Sequence, residues 1–392
     1  MAFLQEVAAS VHISVKSIPR RAAMSIATVV GIALVVLVLL GFLSMANGFQ
    51  RTLEGAGSDK VAIVLSKGAR AEADSMLSSE QYRLLQEAPG VAVQGGRSLV
   101  SGEVYTVVSS PAQQKDALTN VPLRGISSEG LQVRSGFRLS EGRMFTPGSQ
   151  EIVIGRALQR RDGLGLGQQV RFGPTQWTIV GIVDANGSAL ESEIWGDLRI
   201  VQSLFGMGPA VQSVRIRPAD AASLARFEAF VTTDPRLGLD VKTEREFFAA
   251  QSRGLSDLMR YLGWPLAGLM ALGALAAALN TMHSSVAARS SEIATLRILG
   301  FGAASTFVSV LAEALVLSAA GAALGVLLSL TLLQGLTAST VSGAMTTLSF
   351  TLQLSTQAVL QAVTLGIGIG LLGGALAAWR GARQPILVGL EQ

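Results

Sequence analysis

The chain has 392 residues, no cysteine and only 15% charged residues, with a mean hydropathy of +0.46. A soluble domain carries about a quarter charged residues, so an ordinary soluble protein is excluded, and the missing cysteines exclude disulfide staples. The deficit is local: residues 47–257 hold 23 Lys+Arg and 23 Asp+Glu, while the remainder holds 8 against 4. The net charge of +4 therefore belongs to the apolar parts. With no basic run or basic–aromatic patch beside it, that excess does not describe a nucleic-acid binder.

Within the segment 1–21, residues 1–18 read as an amphipathic helix, with Leu4, Val7, Val11, Val15 and Ile18 near one face and Pro19 ending it. Such a helix lies along a membrane surface. The apolar run 22–46 is long enough to cross a bilayer, which needs about 20 residues. It also exceeds the roughly 7–15 apolar residues of a signal peptide, so the expectation is a retained first span rather than a leader cleaved at Ser44–Ala46.

Residues 47–257 read as one large α+β domain. "VAIVLSKG" and "GEVYTVVSS" predict strands around a capped helix in "SSEQYRLLQEAPG", and "QSVRIRP", "DAASLARFEAFV" and "LDVKTE" repeat the strand–helix–strand order. Between them, residues 121–200 are mainly β and punctuated by glycine, which predicts a β lobe inserted into a small α+β layer. From Glu244 the chain reads as one helix running into a second span at 258–282. Residues 47–54 and this helix would form stalk-like ends to the domain.

A third span covers 307–335 and a fourth 358–379, joined by an uncharged short loop at 336–357. Lys16, Arg20 and Arg21 precede the first span, Arg289 and Arg297 separate the second from the third, and Arg380 and Arg383 follow the fourth. Positive residues favour the cytoplasmic side. Both termini (1–21 and 380–392) and the 283–306 segment are therefore expected inside, with 47–257 outside. The fold class expected is an α-helical membrane protein with four transmembrane helices and a large α+β extracytoplasmic domain between the first and second.

Motifs for chemistry are scarce. A P-loop needs GxxxxGK followed by Ser or Thr, and none of the five lysines follows a glycine. "LSEGR" (139–143) reads as a loop, and there is no GxSxG nucleophile elbow. His12 and His283 lie in different segments without ligand spacing. "ESEIWGD" gathers Glu191, Glu193, Trp195 and Asp197, a set that could hold a hard cation or form an outside contact patch. If it is a strand, alternation puts both glutamates on one solvated face, which is the reading favoured.

Within the spans, Gly366, Gly370 and Gly374 recur every four residues, and Gly321 and Gly325 repeat the spacing. Small residues at that interval let membrane helices approach closely, although local glycine enrichment gives the same pattern. Glu313 lies inside the third span, a costly position for an ionisable group; a structural role near the interface, pairing with an arginine of the preceding loop or capping a neighbouring helix, is the expectation. Between spans two and three, Ile293, Leu296 and Leu299 form an apolar stripe rimmed by Arg289, Glu292 and Arg297, and Gly300 follows. A short helix of this kind suits the groove of a soluble partner; a helix lying along the membrane surface gives the same pattern.

The block "ALNTMHSSVAARSSEIATLRILGFGAASTFVSVLAEALVLSAAGAALG" (278–325) resembles the core signature of MacB/FtsX-like ABC transporter permeases. Arg289, Glu292, Ile293, Leu296, Arg297 and Gly300 fill the R-x-x-E-I-x-x-L-R-x-x-G positions that in this family form the coupling helix to the ATPase. Glu313 matches an acidic position early in the next span. The likeness extends to "EGRMF…EIVIGRAL…LGLGQQVRF…WTIVGIVD" (141–184) and to "ARQPI", while "ANGFQRTL", "ESEIWGD" and "ALNTM" resemble a four-span subgroup without a fused ATPase.

The resemblance implies a MacB-like periplasmic core and a type VII mechanotransmission machine in the bacterial cytoplasmic (inner) membrane. Two permease subunits, identical or not, would pair with two separate ABC ATPase subunits. This chain would bind no cofactor and catalyse nothing itself, with ATP and Mg held by the ATPase. A periplasmic adaptor joins in some relatives. The family's cargoes include lipoproteins, peptides and small toxic compounds, and some members only regulate an outside partner.

Overall fold

The computed structural model describes residues 22–110, 120–134, 136–172, 175–287, 298, 302–341 and 347–382. The expected amphipathic helix at 1–21 and most of the 283–306 segment lie outside them. The chain divides into two compact units. One takes Met1–Asn47, Asp257–Leu336 and Leu352–Gln392; the other takes Gly48–Ser256 and Thr337–Thr351.

In chain order, helix α1 (Ala22–Glu54) precedes β1 (Ala62–Ser66), a 3-10 turn at Glu72–Asp74 and α2 (Ser79–Gln86). A small ribbon of β2 (Val93–Gln94) and β3 (Arg97–Ser98) leads to β4 (Val100–Ser109), β5 (Asn120–Ile126) and a helical turn α3 (Gly130–Val133). Next come β6 (Arg138–Gly142), β7 (Glu151–Gly155), α4 (Arg156–Asp162), β8 (Gln169–Phe172) and β9 (Thr175–Asp184). A second 3-10 turn (Ala189–Ser192), β10 (Ile194–Asp197) and α5 (Leu198–Leu204) follow. Then come β11 (Ser213–Ile216), α6 (Ala221–Thr233), β12 (Leu239–Thr243) and the long α7 (Glu244–Ala287). The chain continues through α8 (Ala303–Leu332), the ribbon β13 (Thr337–Val341) and β14 (Thr347–Thr351), and α9 (Thr356–Ala382).

Among the described residues, α1, α7, α8 and α9 are the four helices long and apolar enough to cross a membrane. In the helical unit, α1 is the most enclosed. Its Ile32, Val36, Leu39 and Leu40 are fully buried and pack on Ala267 and Ala274 of α7, Ala322 of α8, and Ala358 and Ala362 of α9. Large side chains on one helix thus meet small ones on three others, the complementarity that drives association where hydrocarbon removes the usual hydrophobic gain. Thr28 Oγ1 donates to Thr281 Oγ1 at 2.8 Å, a buried hydroxyl link between α1 and α7.

The α+β unit is organised on a sheet of strand order β12-β1-β11-β4-β5-β10-β7-β9-β6, with β8 added on β9. Local chemistry sets its pieces. "AIVLS" is apolar on both faces and forms β1, inside the sheet between β11 and β12. Ser78 and Gln81 make a reciprocal capping box at the start of α2. Asp220 caps α6 through the Ser223 N–H at 2.7 Å.

Two expectations need correction. The stretch 121–200 is not set apart as a lobe, because β5 pairs antiparallel with β4 and parallel with β10. That ladder carries the sheet through, and one core runs from Leu239 on β12 to Phe172 on β8. "LSEGR" is the edge strand β6, paired with β9 through Leu139 and Glu141, rather than a loop. In addition, much of the uncharged 336–357 stretch is an antiparallel ribbon, Thr337 opposite Thr351 and Ser339 opposite Ser349. It belongs to the α+β unit, where Phe350 packs edge-on against Phe49 at 5.7 Å.

Candidate functional site

Four adjacent strands of the α+β unit each place a polar or aromatic side chain on one sheet face. Register pairs Ser213 with Glu103, Tyr105 with Arg124, and Arg124 with Trp195, with Arg215 two residues along from Ser213. The opposite face carries Val100, Val104, Leu123, Val214 and Ile194 of the apolar core. Alternation alone would send Glu103, Arg124 and Arg215 to solvent. Instead the 3-10 turn brings Glu72, the end of α3 brings Arg134, the loop before β10 brings Glu193, and the first residue of α7 brings Glu244. All seven are buried, none more than 6% exposed.

Arg124 is the centre. Its Nε and Nη2 donate to Glu193 Oε2 and Oε1 at 2.8 and 2.9 Å. Its Nη1 and Nη2 donate to Glu72 Oε1 and Oε2 at 2.8 and 2.9 Å, and Nη1 also reaches Glu103 Oε2 at 3.0 Å. Two bidentate forks and a fifth bond thereby use the whole planar donor set. Arg215 links Glu244 (2.7 Å), Glu72 (2.8 Å) and Glu103. Arg134 donates to Glu103 and lies 5.3 Å from the Trp195 ring centre. Trp195 Nε1 in turn donates to Glu193 Oε2 at 3.0 Å.

Burial works against each of these charges, and the neighbours decide the outcome. Burial pushes the Glu72 carboxyl up, but Arg124 and Arg215 outweigh it and hold the group well below the usual carboxylate range. Glu193 is likewise pushed up by burial and brought down further by Arg124 and then Arg134. Burial would lower Arg124, yet Glu193, Glu72 and Glu103 raise it well above its ordinary value. For Arg134 burial prevails over Glu103, and repulsion from Arg215 and Arg124 adds to the lowering. Three guanidiniums and four carboxylates thus tie three strands, two turns, the loop before β10 and the start of α7 into one electrostatic knot.

The sequence-predicted residues fall elsewhere. Arg289, Glu292, Ile293, Leu296, Arg297, Leu299 and Gly300 lie outside the described residues. Glu191, Glu193, Trp195 and Asp197 do not form a solvated patch: all four are buried. Glu191 Oε1 accepts the N–H groups of Ala185 and Gly187, both at 2.8 Å. Asp197 caps α5 through Arg199 and Ile200 N–H at 2.9 and 3.1 Å. The cause is that a 3-10 turn, not a strand, carries Glu191, and β10 then inserts between β5 and β7. Among the described residues no cluster of acidic or histidine side chains has the arrangement of a metal site.

Glu313 is buried on α8. The five glycines sit where helices cross. A Cβ on Gly321 would come 2.8 Å from the Val29 carbonyl oxygen, and one on Gly325 2.7 Å from that of Ala33, both on α1. Gly366 faces Val36 and Ile32 of the same helix, while Gly370 and Gly374 face Ser318 and Ala314 of α8.

A bundle of apolar helices bearing a sheet-based domain after its first helix defines a multi-span membrane protein. Residues 25–233 match the family model of the MacB-like periplasmic core domain, and residues 265–386 match that of the FtsX-like permease C-terminal region. The macrolide export ATP-binding/permease protein MacB 1 of Aeromonas hydrophila subsp. hydrophila is 25% identical over 327 residues, covering 77% of this chain and 48% of that protein. This chain thus spans about half the length of that curated relative. The periplasmic region of MacB from Actinobacillus actinomycetemcomitans aligns with 50% of this chain and 94% of its own, at 14% identity and a TM-score of 0.38. The extracellular domain of the noncanonic ABC-type transporter YknZ from Gram-positive bacteria aligns with 47% and 100%, at 16% identity and a TM-score of 0.34. The chain belongs to the MacB/FtsX-like family of ABC transporter permeases.

Proposed function

We propose that this chain is the permease subunit of an ATP-driven transporter in the bacterial inner membrane. It relays ATP hydrolysis by a separate ABC ATPase to its α+β unit and so exports or extracts a substrate by mechanotransmission. The observation that carries the reading is the helix α7: its first residue, Glu244, is bonded into the buried charge network, and the same helix supplies the second apolar span. A push on such a helix reaches the sheet through ion pairs rather than through a loop. Both termini and the 283–306 segment lie in the cytoplasm on this reading, because the basic residues flanking the spans fall on that side.

The ATPase, present in two copies with its ATP and Mg, docks on the stripe of Ile293, Leu296 and Leu299. A second permease subunit completes the complex, and a periplasmic adaptor joins where an outer membrane must be crossed. A different reading, an FtsX-like subunit that activates an outside partner without transport, uses the same relay.

The test is copurification in mild detergent with a C-terminal tag, followed by ATPase assay of the complex. A stoichiometric ABC ATPase is expected, with hydrolysis responsive to the permease and the response lost in Glu292→Lys and Leu296→Asp. An ATPase that never copurifies, or unchanged stimulation in both variants, overturns the reading. Reconstituted complex that moves a cargo separates transport from signalling.

A further inference from the structure

We infer that the α+β unit carries a binding groove for a small, polar, oxyanion-bearing molecule of the sugar-phosphate or sugar-acid class. The groove lies between α4 and the β13–β14 ribbon and encloses about 600 Å³, within the roughly 300–1,000 Å³ of small-molecule sites. Its lining residues all belong to one compact unit.

The ribbon wall is uncharged and hydroxylated. Thr337 stands opposite Thr351 and Ser339 opposite Ser349, so two cross-strand pairs set four hydroxyls along one ribbon face. Ser339 and Ser349 are close enough to share a hydrogen bond, at 3.1 Å. Each hydroxyl can both donate and accept, which suits a ligand that presents hydroxyls of its own.

The floor holds an unanswered group. Ser188 lines the groove, is buried, and its hydroxyl makes no hydrogen bond among the described residues. It follows a tight turn at Asn186 and Gly187, whose φ values are +53° and +75°. The hydroxyl oxygen is itself shut off from solvent, so a ligand reaches it only with a shift of this turn.

The opposite wall decides the ligand's charge. Asp184 is answered by Arg156 at 3.5 Å and by the Asn186 N–H at 3.1 Å, and Glu191 by two backbone N–H groups. Arg156 is also held by Glu141 at 3.1 Å, and Arg161 by Asp162 at 2.7 Å. Arg160 is exposed and has no acidic partner among the described residues. Arg160 is therefore the charged lining side chain left without a partner among the described residues, and a guanidinium pairs best with a carboxylate or phosphate.

The test is calorimetric titration of the full-length protein in detergent with glucose 6-phosphate and with glucuronate, with glucose and inorganic phosphate as controls. At least one of the two acids is expected to bind more tightly than either control, and which one does so identifies the oxyanion. Arg160→Gln is expected to weaken it about tenfold or more, the loss of a charge-assisted bond, and Arg160→Lys to retain most of it. Ser339→Ala with Thr351→Val, at exposed ribbon positions, is expected to weaken the sugar acids while leaving phosphate unchanged. Neither acid binding, full binding by Arg160→Gln, or glucose or phosphate binding as tightly as the acids overturns the proposal. Titration needs no ATPase, so its failure is read separately from failure of the transporter reading.

Discussion

Arg124 and Glu193 meet as a fork inside the α+β unit, two parallel N–H···O bonds of 2.8 and 2.9 Å with both side chains shut off from solvent. They come from neighbouring segments of sheet, β5 and the residue before β10, where the pairing is parallel. Replacing Arg124 leaves Glu72, Glu103 and Glu193 without their shared counter-charge. Breaking a buried pair from one side costs about 3–5 kcal/mol. Arg124→Gln should therefore raise amide hydrogen exchange in β5 and β10 by a factor corresponding to that loss, while amides in α8 and α9 are little changed. Unaltered exchange in both strands would show that the network contributes no net stability.

The pH dependence has a defined sign. Glu72 and Glu193 have folded-state pKa values below their unfolded ones, so their stabilisation is present above the unfolded value of about 4.3 and is lost as pH falls through the depressed folded values. Thermal stability, followed by fluorescence of the buried Trp177 and Trp195, should hold near neutrality and decline below about pH 4.3. Glu193→Gln mimics the protonated group, so its deficit against the parent should shrink as the pH falls. A deficit equally large at pH 3 and pH 7 would contradict this account.

Much of the fold was legible because local patterns are strong. The four apolar runs, the capping sequence at Ser78 and Gln81, and the strands "AIVLS", "EIVIG" and "TIVGIVD" carry their own periodicity or composition. The charge network was not legible. Glu103, Arg124 and Arg215 each occur singly in a strand, and period-two alternation cannot distinguish a solvated face from one covered by distant turns and a helix. What covers them, Glu72, Arg134, Glu193 and Glu244, is spread over 173 positions of the chain. The one available hint was that lone charges sat inside otherwise apolar strands. The glycine spacing in the third and fourth spans was readable, but only the neighbours on α1 and α8 show what each glycine admits.

At the crossing of α8 and α9, Gly370 and Gly374 leave no room for a side chain, since an added Cβ would lie 2.2 Å from Ser318 Cβ and 2.3 Å from Ala314 Cβ. Overpacking of this kind costs about 1–3 kcal/mol. Gly374→Val should lower the melting temperature of the detergent-solubilised protein, and pairing Gly370→Ala with Ser318→Gly should recover part of the loss caused by Gly370→Ala alone. An unchanged melting temperature in Gly374→Val would mean the helices part without penalty.

Asp197 accepts two N–H groups at the start of α5. Asp197→Ala should cost about 0.5–2 kcal/mol, read as faster amide exchange at Arg199 and Ile200. Asp197→Asn should keep most of the protection, because the amide oxygen still accepts. Loss of protection equal in the two variants would assign the effect to charge rather than to capping.

The ribbon Thr337–Thr351 is encoded after the third span, yet it packs with Gly48–Ser256. A ribosome finishes the Gly48–Ser256 piece of that unit long before it makes the last piece. Until the ribbon arrives, Phe49 lacks the ring of Phe350 and Ser192 lacks its contact with the Ser349 backbone. Completion of the α+β unit is therefore a late event in synthesis, dependent on the third helix having been threaded. A chain stopped or misinserted before residue 337 would carry an unfinished surface, a distinguishing mark on which membrane quality control can act.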